Sequence, residues 1–311
     1  MAPSLRSILS YAGHLVSQIP ISLEGFTAGG LGHSSAPHGS NSAAAAGAPS
    51  PLAPMTSHYS SPLTGAPSCP IDGPTSCNNA TEAGSCCFVY PGGRLLLTQF
   101  WDQKLHVGGA EEDWTVHGLC RDIRPDLCDG SYDQFCGMAP AFNNITATLE
   151  QHGQGDLVEW MHRYWVANYG TNDHLWAHEY NKHGTCINTL APSCYGDGYA
   201  AGVEVVDYFT RAAALFRMLD TYRALERVGI VPDYKKTYSL SELQATLEAF
   251  SGGRVILRCT GRHHNVLHEA WYVYFIKGSL QSGEFVPAKD SFKGDHGNCA
   301  AQVRYLPKRK R

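Results

Sequence analysis

Two short segments concentrate side chains that can transfer protons. The first holds two imidazoles, a carboxylate and an ammonium within six residues, and reads His178-Glu179-Tyr180-Asn181-Lys182-His183 before Gly184-Thr185-Cys186. The second lies upstream, contributes one more histidine, and reads Trp114-Thr115-Val116-His117-Gly118-Leu119. Histidine both takes and gives a proton near neutral pH. Together with Glu179 and Lys182, these histidines predict acid–base chemistry on an anionic substrate.

The same residues could be taken for a metal site, because zinc peptidases bind their ion through H-E-x-x-H on a helix. In that motif the two histidines are four residues apart and share one helix face. His178 and His183 are five apart, so their imidazoles diverge by about 140° on a regular helix. Lys182 would also place an ammonium beside the cation, which is unfavourable. The pattern predicts chemistry with no metal and no other cofactor.

The two segments resemble the catalytic signatures of the T2 family of acid ribonucleases, and the cysteine spacing resembles its fungal branch. The second signature of that family reads approximately W-x-H-E-W-x-K-H-G-T-C. Residues 176–186 follow it, with Tyr180 in place of the second tryptophan. The resemblance covers about residues 68–306. It implies an α+β fold in which an antiparallel sheet is flanked by helices and stapled by disulfides.

The chemistry of RNA cleavage matches these residue types. The ribose 2′-OH is a built-in nucleophile, so the reaction needs a base to deprotonate it and an acid to protonate the leaving 5′-oxygen. The resemblance implies His183 as the base, His117 as the acid and His178 as a phosphate contact. It implies that Glu179 and Lys182 stabilise the transition state. The expected activity is cleavage of single-stranded RNA through a 2′,3′-cyclic phosphate to 3′-phosphate ends, with weak base preference and an acidic optimum.

The first signature departs from the family pattern after His117-Gly118-Leu119. The family continues Trp-Pro-Asp, whereas this chain has Cys120-Arg121-Asp122-Ile123-Arg124 before the motif resumes. This difference would come from an insertion or from a misplaced splice junction. In the family, the tryptophan forms a base pocket with an Asp and a Tyr that correspond to Asp126 and Tyr132. An alternative hypothesis is therefore a catalytically impaired member that binds RNA or acts as a non-enzymatic glycoprotein.

The resemblance also implies a second base site. It corresponds to Gln99, Leu175 and residues 165–170, just before the second catalytic segment. The polar residues at these positions differ between family members. The resemblance therefore gives the site its place and leaves its individual contacts open.

The amino-acid composition favours binding of a polyanion at acidic pH. The chain has 24 Lys and Arg against 28 Asp and Glu, a poor balance for binding a polyanion at neutral pH. It also has 15 histidines, so full protonation would move the formal net charge from −4 to +11. Most of that change would fall between about pH 7 and pH 5. Neutral surface histidines without a role in binding are the alternative.

Eleven cysteines all follow residue 68, and none forms a C-x-x-C pair. They predict a disulfide framework from an oxidising compartment, and their spacing alone does not select the pairing. The resemblance implies a specific set that leaves Cys120 unpaired: Cys69–Cys87, Cys77–Cys128, Cys86–Cys194, Cys136–Cys186 and Cys259–Cys299. Two N-glycosylation sequons, at Asn79 and Asn144, agree with secretion. The expected location is secreted or vacuolar.

The chain is expected to divide into four segments. Residues 1–26 form a weak targeting segment whose apolar residues are interrupted. Residues 27–67, rich in Gly, Ala, Ser and Pro, are predicted to be a disordered linker or propeptide. Residues 68–306 would form the ribonuclease domain, which we expect to be a monomer, and the basic end 307–311 a solvated tail. No stretch reaches the roughly 18 apolar residues of a membrane span.

Hydrophobic patterns place the elements that must position the two segments. A helix with an aromatic core face is predicted at 156–169, with Asp156 as its cap and Gly170 as its end. A longer helix is predicted at about 200–228, and a capping box at Ser239 opens another to about 250. Strands are predicted at 94–101, 113–117, 255–259, 270–276 and 283–287. Strands and helices in runs indicate an α+β fold with an antiparallel sheet.

Overall fold

The computed structural model describes residues 65–66, 68–77, 84–103, 110–122, 134–290 and 296–309, with the backbone alone at 120–122. The predicted segments 1–26 and nearly all of 27–67 lie outside these ranges. So do four residues with predicted roles: Asn79, Asp126, Cys128 and Tyr132.

One antiparallel sheet of five strands organises the described fold. Its order is β2-β1-β5-β4, and β6 pairs with the C-terminal part of β5. A second, two-stranded sheet joins β3 and β7. The strands are β1 (Arg94–Phe100), β2 (Thr115–Asp122), β3 (Tyr238–Ser239), β4 (Val255–Thr260), β5 (Val266–Lys277), β6 (Glu284–Pro287) and β7 (Gln302–Val303).

Six α-helices in the described ranges accompany the sheet, and a run of 3₁₀ turns follows the third. They are α1 (Ile145–Gln151), α2 (Gly155–Tyr164), α3 (Asn172–Lys182), α4 (Val203–Met218), α5 (Thr221–Glu226) and α6 (Leu240–Ser251). Their apolar faces join one side of the sheet in a single large core. The predicted α+β class is confirmed. None of the helices in the described ranges is long and apolar enough to cross a bilayer.

Strand β1 is buried along its whole length, because apolar side chains cover both faces of the sheet there. Leu95 and Leu97 face the large core, whereas Leu96 packs with Ile256 and Val273 on the opposite side. Successive strand residues point to opposite faces. This explains why three consecutive leucines, Leu95–Leu97, are all buried, and it gives the sheet a second face on which a site can be built.

The aromatic helix predicted at 156–169 is confirmed as part of the core, with different ends. It spans Gly155–Tyr164, and Leu157, Met161 and the following Trp165 are buried. The helix stops earlier than predicted because Trp165 leaves helical geometry. Its carbonyl accepts the indole N–H of Trp176 at 2.8 Å, a bond that ties α2 to α3.

Two predicted helix caps are corrected. Gln154, not Asp156, is the N-cap of α2; Asp156 lies in the first turn, where its charge suits the helix dipole. Ser239 does precede α6, but its hydroxyl pairs with that of Ser241 at 2.7 Å and makes no capping bond.

The single helix predicted at about 200–228 is two helices in the structure. The break falls at Leu219 and Asp220, whose backbones are not helical. The Leu219 carbonyl accepts the side-chain amide of Gln99 at 2.7 Å, and Asp220 caps α5 through Arg223 N at 3.0 Å. Asp favours an N-cap over a helix interior, so the polar bonds at this point outweigh continuation of the helix.

The structure contains four of the five disulfides that the resemblance implies. These are Cys69–Cys87, Cys86–Cys194, Cys136–Cys186 and Cys259–Cys299. The fifth, Cys77–Cys128, includes a residue outside the described ranges. Cys136–Cys186 fixes the chain directly after α3, where the second catalytic segment ends.

Lys308, in the basic end of the chain, is not solvated as predicted, whereas Arg309 is exposed. Lys308 is 8% exposed, its ammonium lies 4.7 Å from the centre of the Trp101 ring, and it donates to the carbonyl of Asp113. The Trp101 indole in turn donates to the carbonyl of Leu306 at 2.7 Å. Burial lowers the pKa of Lys308 to about 8. Aromatic contact and a backbone acceptor therefore hold this cation against the fold.

A buried carboxyl group on α4 makes stability depend on pH. Asp207 is 2% exposed and accepts the hydroxyl of Tyr195 at 2.9 Å. Burial raises its pKa to about 7, although Tyr195 and Arg211 oppose the shift. Between about pH 4 and pH 7, Asp207 is therefore protonated in the folded chain and ionised in the unfolded chain. Its contribution to stability is present below this range and is lost as the pH rises through it.

We expect Asp207→Asn to remove this pH dependence. The asparagine mimics the protonated carboxyl group, so urea unfolding midpoints at about pH 4.5 and pH 7 should differ less in the variant than in the wild type. The matched control is Asp197→Asn, at an exposed carboxylate nearby. Equal midpoint differences in wild type and Asp207→Asn would contradict the assignment.

Candidate active site

Helix α3 carries most of the second catalytic segment. Thr171 begins it, with its side chain accepting from the backbone N–H of His174 at 3.2 Å. His183 ends it as the C-cap. The next residue has to be glycine, because a Cβ at Gly184 would lie 2.7 Å from the Tyr180 ring. The G-T-C end of the segment is therefore packed against the helix that bears the ionisable groups.

The end of α3 brings Glu179 and His183 together. Their side chains are one helical turn apart, with Nε2 of His183 3.7 Å from Oε2 of Glu179. Both residues are 0% exposed. The carboxylate lies where it can stabilise a protonated imidazole.

Lys182 and His178 form the other part of the α3 cluster. Lys182 is 2% exposed, and His178 is half-buried with its ring packed edge-on against Phe135 at 6.1 Å. Burial lowers the pKa of His178, and the ammonium of Lys182 lowers it further, followed by His174 and His117. The helix therefore places an ammonium beside an imidazole that can donate a hydrogen bond, a combination suited to an anionic ligand.

His117 comes to this cluster from β2, where it is 4% exposed. Its ring stacks on Phe100 with centroids 3.8 Å apart and planes 16° apart. Burial lowers the pKa of His117; the Glu269 carboxylate raises it, and His268 and Lys182 lower it. Lys182 acts on both His117 and His178. The structure thus joins the two segments, which lie far apart in the sequence, in one electrostatic unit.

The first three residues of the departure from the first signature, 120–122, extend strand β2. Strand β2 was predicted to end at His117, but its backbone runs on through residues 120–122 and pairs with Arg94, Leu95 and Leu96 of β1. The pairing on both sides of His117 holds its backbone in place. The backbone of this histidine is therefore fixed within the sheet before the departure begins.

The structure corrects the predicted base contact at Gln99. This side chain is 0% exposed, and both ends of its amide are bonded internally: Nε2 donates to the Leu219 carbonyl at 2.7 Å, and Oε1 accepts from the Thr221 hydroxyl at 2.6 Å. Neighbouring strand residues face opposite sides of a sheet, so Gln99 points into the core while Phe100 faces His117. Leu175 is half-buried beside the core, and its contact with a base stays a prediction.

Three residues near the site were not singled out from the sequence. Phe100 and Glu269 contact His117, and Phe135 is 59% exposed beside His178. The sequence signal that could have indicated Glu269 is the pair His268-Glu269, which directly precedes the apolar strand predicted at 270–276. Within the described ranges, no group of three or more His, Cys, Asp or Glu side chains has a metal-binding arrangement.

A known protein family matches most of this chain. The sequence profile described as the Ribonuclease T2 family matches residues 92–299. The chain belongs to the ribonuclease T2 family. The predicted family is therefore confirmed, and the predicted enzyme class, a ribonuclease, is confirmed at the level of the family.

Among relatives in the ribonuclease T2 family, ribonuclease T2 of Aspergillus oryzae is 46% identical over 75% of this chain and 80% of its own length. A ribonuclease T2-like protein of Aspergillus fumigatus is 45% identical over 73% of this chain. The matched region spans only 53% of that relative, about half its length. The crystal structure of Actibind, described as a T2 ribonuclease, is 39% identical, with a TM-score of 0.71, and covers 79% of this chain and all of its own.

Proposed function

We propose that this protein is an endoribonuclease that cleaves single-stranded RNA without a metal, through a 2′,3′-cyclic phosphate, to 3′-phosphate ends. The observation that carries the proposal is the meeting of His117 from β2 with His178 and Lys182 from α3. Two imidazoles and an ammonium that influence one another electrostatically supply a proton donor and polar contacts for a phosphodiester.

The proposed roles follow the path of the proton. The His183 imidazole takes the proton of the ribose 2′-OH as that oxygen attacks phosphorus, and Glu179 stabilises the resulting imidazolium. His117 gives its proton to the 5′-oxygen as the P–O5′ bond breaks. His178 and Lys182 hold the phosphoryl oxygens while their charge increases. Addition of water to the cyclic phosphate then yields the 3′-phosphate.

The proposed acidic optimum rests on His117. An acid must be protonated to act, and burial holds the pKa of His117 below its ordinary value. Activity should therefore decline at a lower pH than a solvent-exposed imidazole would allow. Secretion or vacuolar targeting fits the disulfides, and the predicted sequon residue Asn144 is exposed at the start of α1.

A catalytically impaired RNA-binding glycoprotein is the alternative. The observation that favours it is the replacement of the family's Trp by Cys120–Arg124, next to the predicted pocket residues Asp126 and Tyr132. The pairing of β2 with β1 on both sides of His117 favours retained catalysis, because it fixes the backbone of this histidine upstream of the departure.

The deciding experiment is cleavage of an oligoribonucleotide at about pH 4.5 in excess EDTA, with analysis of the product ends. We expect cyclic-phosphate ends from the wild type, and none from the matching oligodeoxyribonucleotide, which lacks the 2′-OH. A variant in which a single Trp replaces Cys120–Arg124 is assayed alongside. Cleavage by this variant alone would support the impaired alternative, whereas activity lost in EDTA would contradict the metal-free mechanism.

A further inference from the structure

Glu269 lies beside the proposed acid without being part of either catalytic segment. It stands on β5, directly opposite Phe100 of β1, whose ring stacks on His117 at 3.8 Å. One of its carboxylate oxygens, Oε1, lies 3.6 Å from Nδ1 of His117. Phe100 thus packs on the face of the imidazole, and the Glu269 carboxylate lies at its Nδ1 edge within ion-pair distance.

The carboxylate is itself held in orientation. The indole N–H of Trp271 donates to Oε2 of Glu269 at 2.7 Å, so Oε1 is the oxygen turned towards the imidazoles. His268 contributes a second imidazole, whose Nε2 lies 4.0 Å from Oε1 of Glu269. The side chains of Glu269 and His117 are 14% and 5% exposed. A carboxylate this well shielded from water interacts more strongly with a neighbouring charge than an exposed one does.

We infer that Glu269 is the positioning residue of His117: it binds Nδ1, so that Nε2 faces the leaving oxygen and carries the transferred proton. This inference rests on the proposed ribonuclease function. A carboxylate at Nδ1 fixes the tautomer and ring direction of a catalytic imidazole and stabilises its protonated form. Glu269 touches no reacting atom itself and acts through His117.

The charges around His117 explain why such a partner is needed. From α3, Lys182 lowers its pKa, and His178 stands close by. From β5, His268 also lowers its pKa, whereas Glu269 raises it. Arg258 on β4 lies opposite Glu269 in the sheet, but its guanidinium packs over the Trp271 ring at 5.0 Å. Without the Glu269 carboxylate, the acid would lose its proton at still lower pH.

The test compares Glu269→Gln with Glu284→Gln, a matched change at an exposed residue of β6. We expect Glu269→Gln to lower kcat about tenfold or more, as loss of an orienting partner does, with KM little changed. The alkaline limb of its kcat–pH profile should move to lower pH. Glu284→Gln should match the wild type in both respects.

A second readout does not depend on turnover. Nitrogen-15 NMR titration of the His117 ring in the full chain reports its pKa and its tautomer. Glu269→Gln should lower the pKa and reduce the Nδ1–H form, and Trp271→Phe, which keeps the carboxylate and removes its anchor, should shift both in the same direction by less. The Trp271→Phe titration decides the matter if Glu269→Gln does not fold.

Two outcomes would overturn the inference. One is an unchanged His117 titration in the folded variants; the other is a loss of kcat equal at every pH, which indicates general structural damage. Failure of the proposed function would give a different result. The wild type would not cleave RNA, but the titration of His117 would still differ between the wild type and Glu269→Gln.

Discussion

Replacing His117 with alanine is expected to lower kcat for RNA about 10²–10⁴-fold, the usual contribution of a general acid. The loss should nearly disappear on a ribonucleoside 3′-aryl phosphate, because an aryl oxide leaves without being protonated. The measurement is kcat on both substrates at about pH 4.5. This comparison separates loss of the acid from loss of the whole site.

His183→Ala is the informative partner in that experiment. A missing base should slow both substrates, since the 2′-OH has to be deprotonated in each. His263→Ala, at an exposed turn residue, serves as the control. A loss of equal size on both substrates in His117→Ala would contradict the acid assignment, and an exchange of the two patterns would reverse the roles of acid and base.

Removing the Cys136–Cys186 disulfide is expected to lower the free energy of unfolding by about 2–5 kcal/mol and to lower kcat as well. The bond joins two cysteines that are 50 residues apart in the sequence, and it lies just after the end of α3. Two backbone bonds run beside it, from Phe135 N to the Lys182 carbonyl at 3.0 Å and from Met138 N to the Thr185 carbonyl at 2.8 Å. Loosening this connection would release Lys182 and His183 from their fixed positions.

The matched variant is Cys259→Ala/Cys299→Ala, which opens a bond of similar separation, 40 residues. That bond joins β4 to residues near the chain end, so its loss should lower stability while kcat of the folded fraction stays close to wild type. Urea unfolding gives the first quantity and kcat at a temperature below both transitions gives the second. Equal kcat in the two double variants would show that Cys136–Cys186 has no special connection with the site.

Most ionisable residues of the site were predictable from the sequence because they fall in two short segments. The helix that carries the second segment, α3, was not predicted. Helix α3 has no clear amphipathic pattern: Trp176 and Tyr180 are buried on one side, and Glu179 and Lys182 are buried as well. A helix is recognised by alternation of buried and solvated faces. A buried polar face removes that signal.

Contacts between distant segments lie beyond what local patterns predict. Glu269 reaches His117 only because β1 lies between β2 and β5, and a sheet order is not written in any short stretch of sequence. The same holds for Gln99, which a resemblance places at a base site but which bonds to Leu219 and Thr221 in the core. The strand itself was predicted correctly, whereas the face on which Gln99 lies depends on packing.

The contact of Lys308 and Leu306 with Trp101 also sets the limits of the folding unit. The family match ends at residue 299, yet β7, the Trp101 acceptor and the cation on its ring all come later. A chain cut at residue 299 would leave a large indole without its hydrogen-bond acceptor and β3 without a partner. Anyone trimming this protein for expression, or attaching a tag to it, should therefore keep the chain intact through residue 309.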